Sequence, residues 1–164
     1  EYMFWYQDGN IAYKANVNDK ASYVFDPAQL PENLTSYPCK KIEQGYLSTE
    51  PVVRIRKQDD TYYLTYKSKG LMVREEYNLP LTADAYAHLR EKADGKLITK
   101  RRYLNPFGKY TIELDLFSSP RPDLMLAEVE FSSEEEALAF EAPDWFGEDV
   151  TSSSEYHNST LSQS

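Results

Sequence analysis

The chain has 164 residues, of which 41% are hydrophobic and 27% are charged, a composition typical of a globular protein and not of a disordered one. Its formal net charge of −9 argues against nucleic acid as a partner, because nucleic-acid-binding surfaces are basic. A single cysteine, Cys39, excludes an intrachain disulfide and a cysteine-based metal site. We find no apolar run of membrane-spanning length and no secretory signal, so the sequence predicts a cytoplasmic protein without a membrane partner.

Short strands dominate the predicted structure, in keeping with a high tyrosine content that suits half-buried strands. Turn signals such as Asp8-Gly9-Asn10 and Asp59-Asp60 separate runs of alternating polar and apolar residues. The predicted strands are Tyr2–Gln7, Ile11–Val17, Ala21–Phe25, Ile42–Ser48, Val52–Lys57, Thr61–Ser68, Leu71–Leu79, Leu97–Leu104, Tyr110–Phe117 and Leu124–Phe131.

Two helices interrupt this pattern. The first covers Thr82–Lys92, with the Thr82 hydroxyl as its N-cap, and the second covers Ser133–Phe140, with acidic residues in its first turn. The end of the chain, Thr151–Ser164, is rich in serine and is expected to be loose, apart from Tyr156 and Leu161 as docking residues.

Charged residues recur at every second position of several predicted strands, so they share one face of each strand. Some strands are cationic and others anionic, whereas solvent-facing strands usually mix both signs. For any single strand an ordinary solvated face stays an open alternative. Taken together, the strands predict a closed antiparallel sheet with apolar residues outside, under the helices, and charges inside. The paired positions are Arg54 and Arg56, Lys67 and Lys69, Arg74 and Glu76, Lys100 and Arg102, Glu113 and Asp115, and Glu128 and Glu130.

An interior of this kind suits a polyanion. Arginine and lysine bind phosphate oxygens, while carboxylates hold Mg²⁺ or Mn²⁺, which in turn bridge phosphates. Without a bound polyanion and metal ions, burying these charges would be energetically unfavourable.

Six segments that carry these residues stand in the order found in a known family. They are Val53-Arg54-Ile55-Arg56, Thr65-Tyr66-Lys67-Ser68-Lys69-Gly70, Arg74-Glu75-Glu76-Tyr77-Asn78, Lys100-Arg101-Arg102-Tyr103, Glu113-Leu114-Asp115 and Glu128-Val129-Glu130-Phe131. From about Leu30 to Leu161 the chain resembles a CYTH domain, also called a triphosphate tunnel metalloenzyme.

The resemblance implies a closed antiparallel β-barrel, or tunnel, of about eight strands with flanking helices over residues 20–161. Residues 1–19 would be an extra β-hairpin of unclear role, and residues 162–164 a loose tail. It also implies a metal-dependent triphosphatase that takes inorganic triphosphate, another polyphosphate or a nucleoside triphosphate, and it leaves a homodimer open.

By the same resemblance, each charged position has an expected role. Glu130 and Lys67 would be catalytic. The phosphate-binding set would be Arg54, Arg56, Lys67, Lys69, Arg74, Lys100 and Arg102. The ligands of Mg²⁺ or Mn²⁺ would be Glu76, Glu113, Asp115, Glu128 and Glu130.

The first strand departs from the family pattern. CYTH domains open with Glu-x-Glu-x-Lys, whereas the corresponding segment here, counted back without gaps, is Lys20-Ala21-Ser22-Tyr23-Val24-Phe25, in which both acids and the lysine are replaced. A gapped alternative, Asn10-Ile11-Ala12-Tyr13-Lys14, keeps only the lysine. Two functions therefore stay open: a triphosphatase, weakened by the loss of these acids, or a catalytically inactive barrel, natural or engineered, whose reworked tunnel serves as a binding or structural scaffold.

Overall fold

The computed structural model describes residues 7–8, 11–16, 20–24, 32–68, 74–151 and 153–164. This part of the chain contains ten strands, three α-helices and two short 3₁₀ turns, at Leu34–Ser36 and Ser154–Tyr156. The helices are α1 (Ala83–Arg90), α2 (Glu134–Ala139) and α3 (Asn158–Leu161). The strands are β1 (Gln7–Asp8), β2 (Ile11–Asn16), β3 (Lys20–Val24), β4 (Cys39–Thr49), β5 (Val52–Gln58), β6 (Thr61–Lys67), β7 (Arg74–Pro80), β8 (Asp94–Phe107), β9 (Tyr110–Ser119) and β10 (Met125–Glu130).

All ten strands belong to one antiparallel sheet in the order β1-β2-β7-β6-β5-β4-β8-β9-β10-β3. The predicted fold class, mainly β with an antiparallel tunnel-type sheet and flanking helices, is confirmed. Within the described residues, hydrogen bonds do not join the edge strands β1 and β3 to each other. The predicted strands Tyr2–Gln7, Ile11–Val17, Ala21–Phe25 and Leu71–Leu79 each lie partly outside the described residues.

One face of the sheet carries apolar residues that pack against helix α1 and against the segment from helix α2 to Phe146; we call it the outer face. Helix α1 begins where the Thr82 hydroxyl accepts a hydrogen bond from the backbone nitrogen of Ala85, at 3.1 Å. Its buried Tyr86 packs against the ring of Tyr62 on β6, with 5.3 Å between ring centroids. Because side chains alternate along a strand, the opposite face is free to carry polar groups.

Helix α2 begins a second segment that packs on the outer face, through Ala137 and the aromatic residues up to Phe146. The Ser133 hydroxyl caps it as predicted, accepting from the backbone nitrogen of Glu136. Beneath it lies a core cluster from β8, β9 and β10 that contacts Phe140, Trp145 and Phe146. Its buried members are Tyr103, Ile112, Leu114, Ala127, Val129 and Phe131.

The end of the chain is ordered into a packed segment, so the expectation that Thr151–Ser164 is loose is wrong. Leu161 on α3 is buried, and the carbonyl of Ser162 accepts a hydrogen bond from the backbone nitrogen of Lys96 at 2.7 Å. Gly95 permits this close approach, since its φ is +65° and a Cβ there would lie 2.2 Å from the Ser162 carbonyl oxygen. The two predicted docking residues, Tyr156 and Leu161, both contact the core.

Across the described ranges, the helices are all too short or too polar to cross a membrane.

Candidate anion-binding site

The strand register places the predicted charges on the second face of the sheet, which we call the inner face. Arg56 on β5 lies opposite Gln44 on β4, and Arg102 on β8 lies opposite Asp115 on β9. Glu113 on β9 in turn lies opposite Glu128 on β10. Alternation along each strand therefore assembles these side chains from five consecutive strands of the sheet, β5-β4-β8-β9-β10, on one surface.

Part of this surface is neutralised by its own carboxylates. Asp115 is fully buried, and its Oδ2 lies 2.5 Å from Lys100 Nζ. Arg102 Nε donates to Asp115 Oδ1 at 2.7 Å, and Arg102 Nη2 donates to Oδ2 at 2.8 Å. One carboxylate thus binds two cations, one of them in a bidentate geometry that fixes the guanidinium plane.

The electrostatics of this group follow from burial and pairing. Burial lowers the pKa of Lys100 to about 8, against the attraction of Asp115. Burial alone would raise the pKa of Asp115, but Lys100 and Arg102 outweigh it and hold that pKa below its ordinary value. Asp115 is therefore ionised at neutral pH.

Arg102 also connects the acids of β9 and β10. Its Nη1 forms an ion pair with Glu113 Oε2, and its Nη2 lies 3.3 Å from Glu128 Oε2. Two carboxylates that are cross-strand neighbours therefore converge on one guanidinium. Against the burial that would lower it, Asp115 keeps the pKa of Arg102 well above its usual value.

The cations of β5 have different surroundings. Arg56 is 7% exposed, and Gln44, which is 0% exposed, accepts from its Nε at 2.9 Å and from its Nη2 at 2.6 Å. Arg56 Nη1 lies 3.4 Å from the Tyr63 hydroxyl. Burial lowers the pKa of Arg56, and the neighbouring Arg54 lowers it further. Among the described residues no carboxylate pairs with Arg56, and Arg54 Nε is buried without a hydrogen-bond partner.

A third polar group lies on β6 and β7. Lys67 Nζ lies 3.4 Å from Glu76 Oε2, and Asn78 Nδ2 donates to Glu76 Oε1 at 3.2 Å. The Thr65 hydroxyl donates to Asn78 Oδ1 at 2.6 Å. This group continues the inner face beyond Arg54, since Arg54 lies opposite Thr65 in the sheet.

Three predicted site residues are not part of these groups: the side chains of two are not described, and the third lies at the end of β10. Lys69 falls outside the described residues, and for Arg74 only the backbone is described, at the start of β7 opposite Asn16. Glu130 is exposed at the end of β10, where its backbone lies opposite Lys20 of β3. The structure therefore brings together Arg54, Arg56, Lys67, Lys100, Arg102, Glu76, Glu113, Asp115 and Glu128 on one face, with Glu130 at its rim.

Sequence reasoning missed Gln44 as a member of this site. The available signal was the alternation of Ile42, Gln44 and Tyr46 along β4, which places Gln44 on the same face as its cross-strand neighbour Arg56. Because Gln44 is uncharged, the pattern of alternating charges does not reveal it.

Two of the carboxylates fit a divalent cation, although no complete set of protein ligands surrounds a single point among the described residues. Within the described part of the chain, three or more acidic, histidine or cysteine side chains are nowhere arranged as a ready metal cage. Glu113 and Glu128 nevertheless converge on one point, as their shared contact with Arg102 shows. Mg²⁺ is commonly held by one or two carboxylates together with substrate phosphates and water, so this pair fits such a site.

The chain is similar in sequence to two proteins of known activity. The chain is 39% identical over 128 residues to an inorganic triphosphatase of Nitrosomonas europaea, covering 75% of this chain and 84% of the relative. It is 36% identical over 123 residues to an inorganic triphosphatase of Acetivibrio thermocellus, covering 72% and 77%.

Solved structures show the same relationship. A crystal structure of an inorganic triphosphatase superimposes with a TM-score of 0.69 at 32% identity, covering 88% of this chain and 93% of that one. A Pyrococcus horikoshii protein at 20% identity, with a TM-score of 0.53 and coverage of 74% and 83%, shares the fold. The CYTH domain model matches residues 29–164. The chain belongs to the CYTH domain family.

Proposed function

We propose that the inner face binds inorganic triphosphate and that the protein hydrolyses it with the help of a divalent cation. The observation that carries this proposal is the pair Arg54 and Arg56 at the centre of the sheet: among the described residues only neutral groups bind the Arg56 guanidinium, and Arg54 Nε is buried without a hydrogen-bond partner. A buried cation is costly unless an anion compensates it. The two relatives named inorganic triphosphatase support inorganic triphosphate as that anion.

The arrangement of cations suits an extended anion better than a compact one. Arg54 and Arg56 lie on β5, Lys67 on β6, and Lys100 and Arg102 on β8, so the positive groups are spread over several strands. Arginine can grip two phosphate oxygens at once, whereas lysine acts as a point charge. A linear chain of phosphates can contact more of these groups at once than a single phosphate can. Arg74 and Lys69 would extend the same set.

Triphosphatases of this family depend in general on a divalent metal. We propose Mg²⁺ or Mn²⁺ for this chain, held by Glu113 and Glu128, with Glu130, Glu76 and Asp115 as the further candidates from the sequence. Such an ion would neutralise phosphate charge and polarise the phosphoryl group. The protein's own residues hold and orient the anion, and Lys67 is the proposed catalytic cation. Location in the cytoplasm and a homodimer stay predictions.

Phosphate release from inorganic triphosphate, measured with and without Mn²⁺, tests the proposal. We expect turnover that requires the metal and is lost in Glu130→Gln, whose exposed position spares the fold. The matched control is Glu135→Gln on helix α2, also exposed, which should retain turnover. Turnover that persists in Glu130→Gln, or that needs no metal, contradicts the proposal.

A second candidate function, anion binding without hydrolysis, is favoured by the backbone register of β3. Ser22 lies opposite Glu128, and Lys20 lies opposite Glu130, so the edge strand brings no carboxylate to the acids of β10. If this loss has abolished hydrolysis, the wild-type chain binds triphosphate but releases no phosphate. The double variant Lys20→Glu, Ser22→Glu should then gain metal-dependent turnover. A variant as inactive as the parent would contradict the idea that these two positions limit the reaction.

A further inference from the structure

Gln44 occupies the middle of the inner face with no part of it exposed. It lies on β4, opposite Arg56 on β5 and opposite Ile98 on β8. Its neighbours along the same face of β4 are Ile42 and Tyr46, both buried. A fully buried amide in such a place needs a partner for each of its polar atoms.

The orientation of this amide is fixed by chemistry. Its oxygen and nitrogen look alike in shape, so their assignment rests on the hydrogen-bond network. A guanidinium group has only donors. The atom that faces both Arg56 Nε and Arg56 Nη2, at 2.9 and 2.6 Å, must therefore be the Gln44 oxygen. The amide nitrogen consequently points away from Arg56.

That nitrogen is buried and has no hydrogen-bond partner among the described residues. An amide nitrogen carries two donors, and leaving them unmet in a buried place is unfavourable. Arg54 Nε, on the same face two residues from Arg56, is a second buried donor without a partner in the described part. Both of these unpaired groups are hydrogen-bond donors. One type of ligand, an anion rich in acceptor oxygens, can therefore accept hydrogen bonds from both.

We propose that Gln44 is a binding and positioning residue of the anion site, which orients the Arg56 guanidinium through its oxygen and donates an N–H to a ligand phosphate oxygen. This inference rests on the proposed function and assigns to a neutral residue a role that charge patterns do not show. Gln44 holds the arginine in place without neutralising it, so the full positive charge remains for the ligand.

A glutamate at this position would act differently. It could form the same two contacts with Arg56, now as a charge-assisted bidentate pair, which is stronger than the amide contact. It would also cancel the charge of Arg56 and present an acceptor where the amide presents a donor. The fold would keep its arginine contact while the site would lose its attraction for anions.

The test uses the full chain and inorganic triphosphate, with affinity measured by titration calorimetry and stability by thermal unfolding without ligand. We expect Gln44→Glu to unfold at the wild-type temperature or above it, and to bind triphosphate roughly 100-fold more weakly. Gln44→Met, which loses both contacts without adding charge, should weaken binding roughly 10-fold. The control is Gln58→Glu on β5, which lies opposite Ile42 and adds the same charge two cross-strand pairs away from Gln44 and Arg56. It should weaken binding less than Gln44→Glu.

The outcomes separate this inference from the proposed function. If the wild-type chain binds triphosphate and Gln44→Glu binds it equally well, or no worse than Gln58→Glu does, the inference is overturned and the proposed function stands. If the wild-type chain binds no triphosphate, both are overturned. A Gln44→Glu chain that is well folded but has lost affinity supports the inference, because a purely structural role would change stability and affinity together.

Discussion

Apart from the Lys67–Glu76 pair on β6 and β7, the inner face has two halves that treat buried cations in opposite ways. On β8–β10, Lys100 and Arg102 are compensated by Asp115, Glu113 and Glu128. On β4–β6, Arg56 is held by an amide and a phenol hydroxyl, and no carboxylate of the described residues pairs with it.

The difference separates structure from binding. The charges of a compensated buried ion pair are neutralised within the fold, and the pair fixes the positions of its side chains. A buried cation held by neutral groups keeps its charge available for a ligand. We therefore assign the β8–β10 half chiefly to shaping the interior and the β4–β6 half chiefly to attracting the anion. The predictions below test this division.

Removing the acid at the centre of the compensated half should have the largest effect. Asp115→Asn leaves Lys100 and Arg102 close together without their shared carboxylate. We expect a loss of about 3–5 kcal/mol in the free energy of unfolding, the range seen when one partner of a buried ion pair is removed. Urea denaturation measures it. Asp123→Asn, an exposed acid just before β10, is the control and should unfold like the wild type. A small change at Asp115 would show that the two halves do not differ as described.

Removing the arginine of the uncompensated half should affect binding more than folding. Arg56→Met removes a buried charge that has no acidic partner among the described residues, but it also leaves the buried Gln44 oxygen without its donors, so the net change in stability should be small. The affinity for triphosphate should fall by about 1.5–3 kcal/mol, the usual contribution of hydrogen bonds to charged groups. Calorimetric titration measures it. Lys57→Met, the exposed neighbour on the outer face, is the control. An Arg56→Met chain that unfolds readily and binds normally would reverse our assignment.

Removing a compensated ion pair near solvent should have the smallest effect on the free energy of unfolding. On the outer face, Arg90 Nε donates to Glu43 Oε1 at 2.8 Å, and the Tyr86 hydroxyl donates to the same oxygen at 2.9 Å. The hydrogen bond from Arg90 lowers the pKa of Glu43. Because Arg90 is partly exposed, Glu43→Gln should cost only about 0.5–1 kcal/mol at neutral pH.

This contribution has a defined pH dependence. A carboxyl whose pKa is lowered in the folded state stabilises the fold above its ordinary pKa of about 4.3 and ceases to do so as pH falls through the lowered value. The stability difference between wild type and Glu43→Gln should therefore shrink toward zero in acid. Unfolding curves from pH 7 down to pH 3 measure it, and a difference that grows in acid would contradict the assignment.

The sequence predicted the faces of the strands well because alternation is a local property. It paired Arg54 with Arg56 and Lys100 with Arg102 on one surface, and the register bears this out. The motif order also indicated the family correctly. The partner of each charge was not predictable, since Asp115 meets Arg102 only through the alignment of β8 with β9.

Other features depend on tertiary contacts, which the pattern of residues along the sequence does not show. The packed end of the chain rests on the contact between Ser162 and β8, which a serine-rich composition conceals. The metal ligands expected by resemblance are in part engaged with Lys100 and Arg102, which no reading of separate strands could reveal.

Glu43 and Gln44 are consecutive in the chain, yet one anchors a helix outside and the other lies against an arginine inside. A shift of β4 by a single residue would exchange these environments, since each step along a strand crosses the sheet. The carboxylate would then meet Arg56, and the site would be neutralised although every amino acid was retained. Irregularities in pairing near Tyr46, on both sides of β4, oppose such a slip. Insertions or deletions in β4 should therefore be tolerated less well than substitutions there.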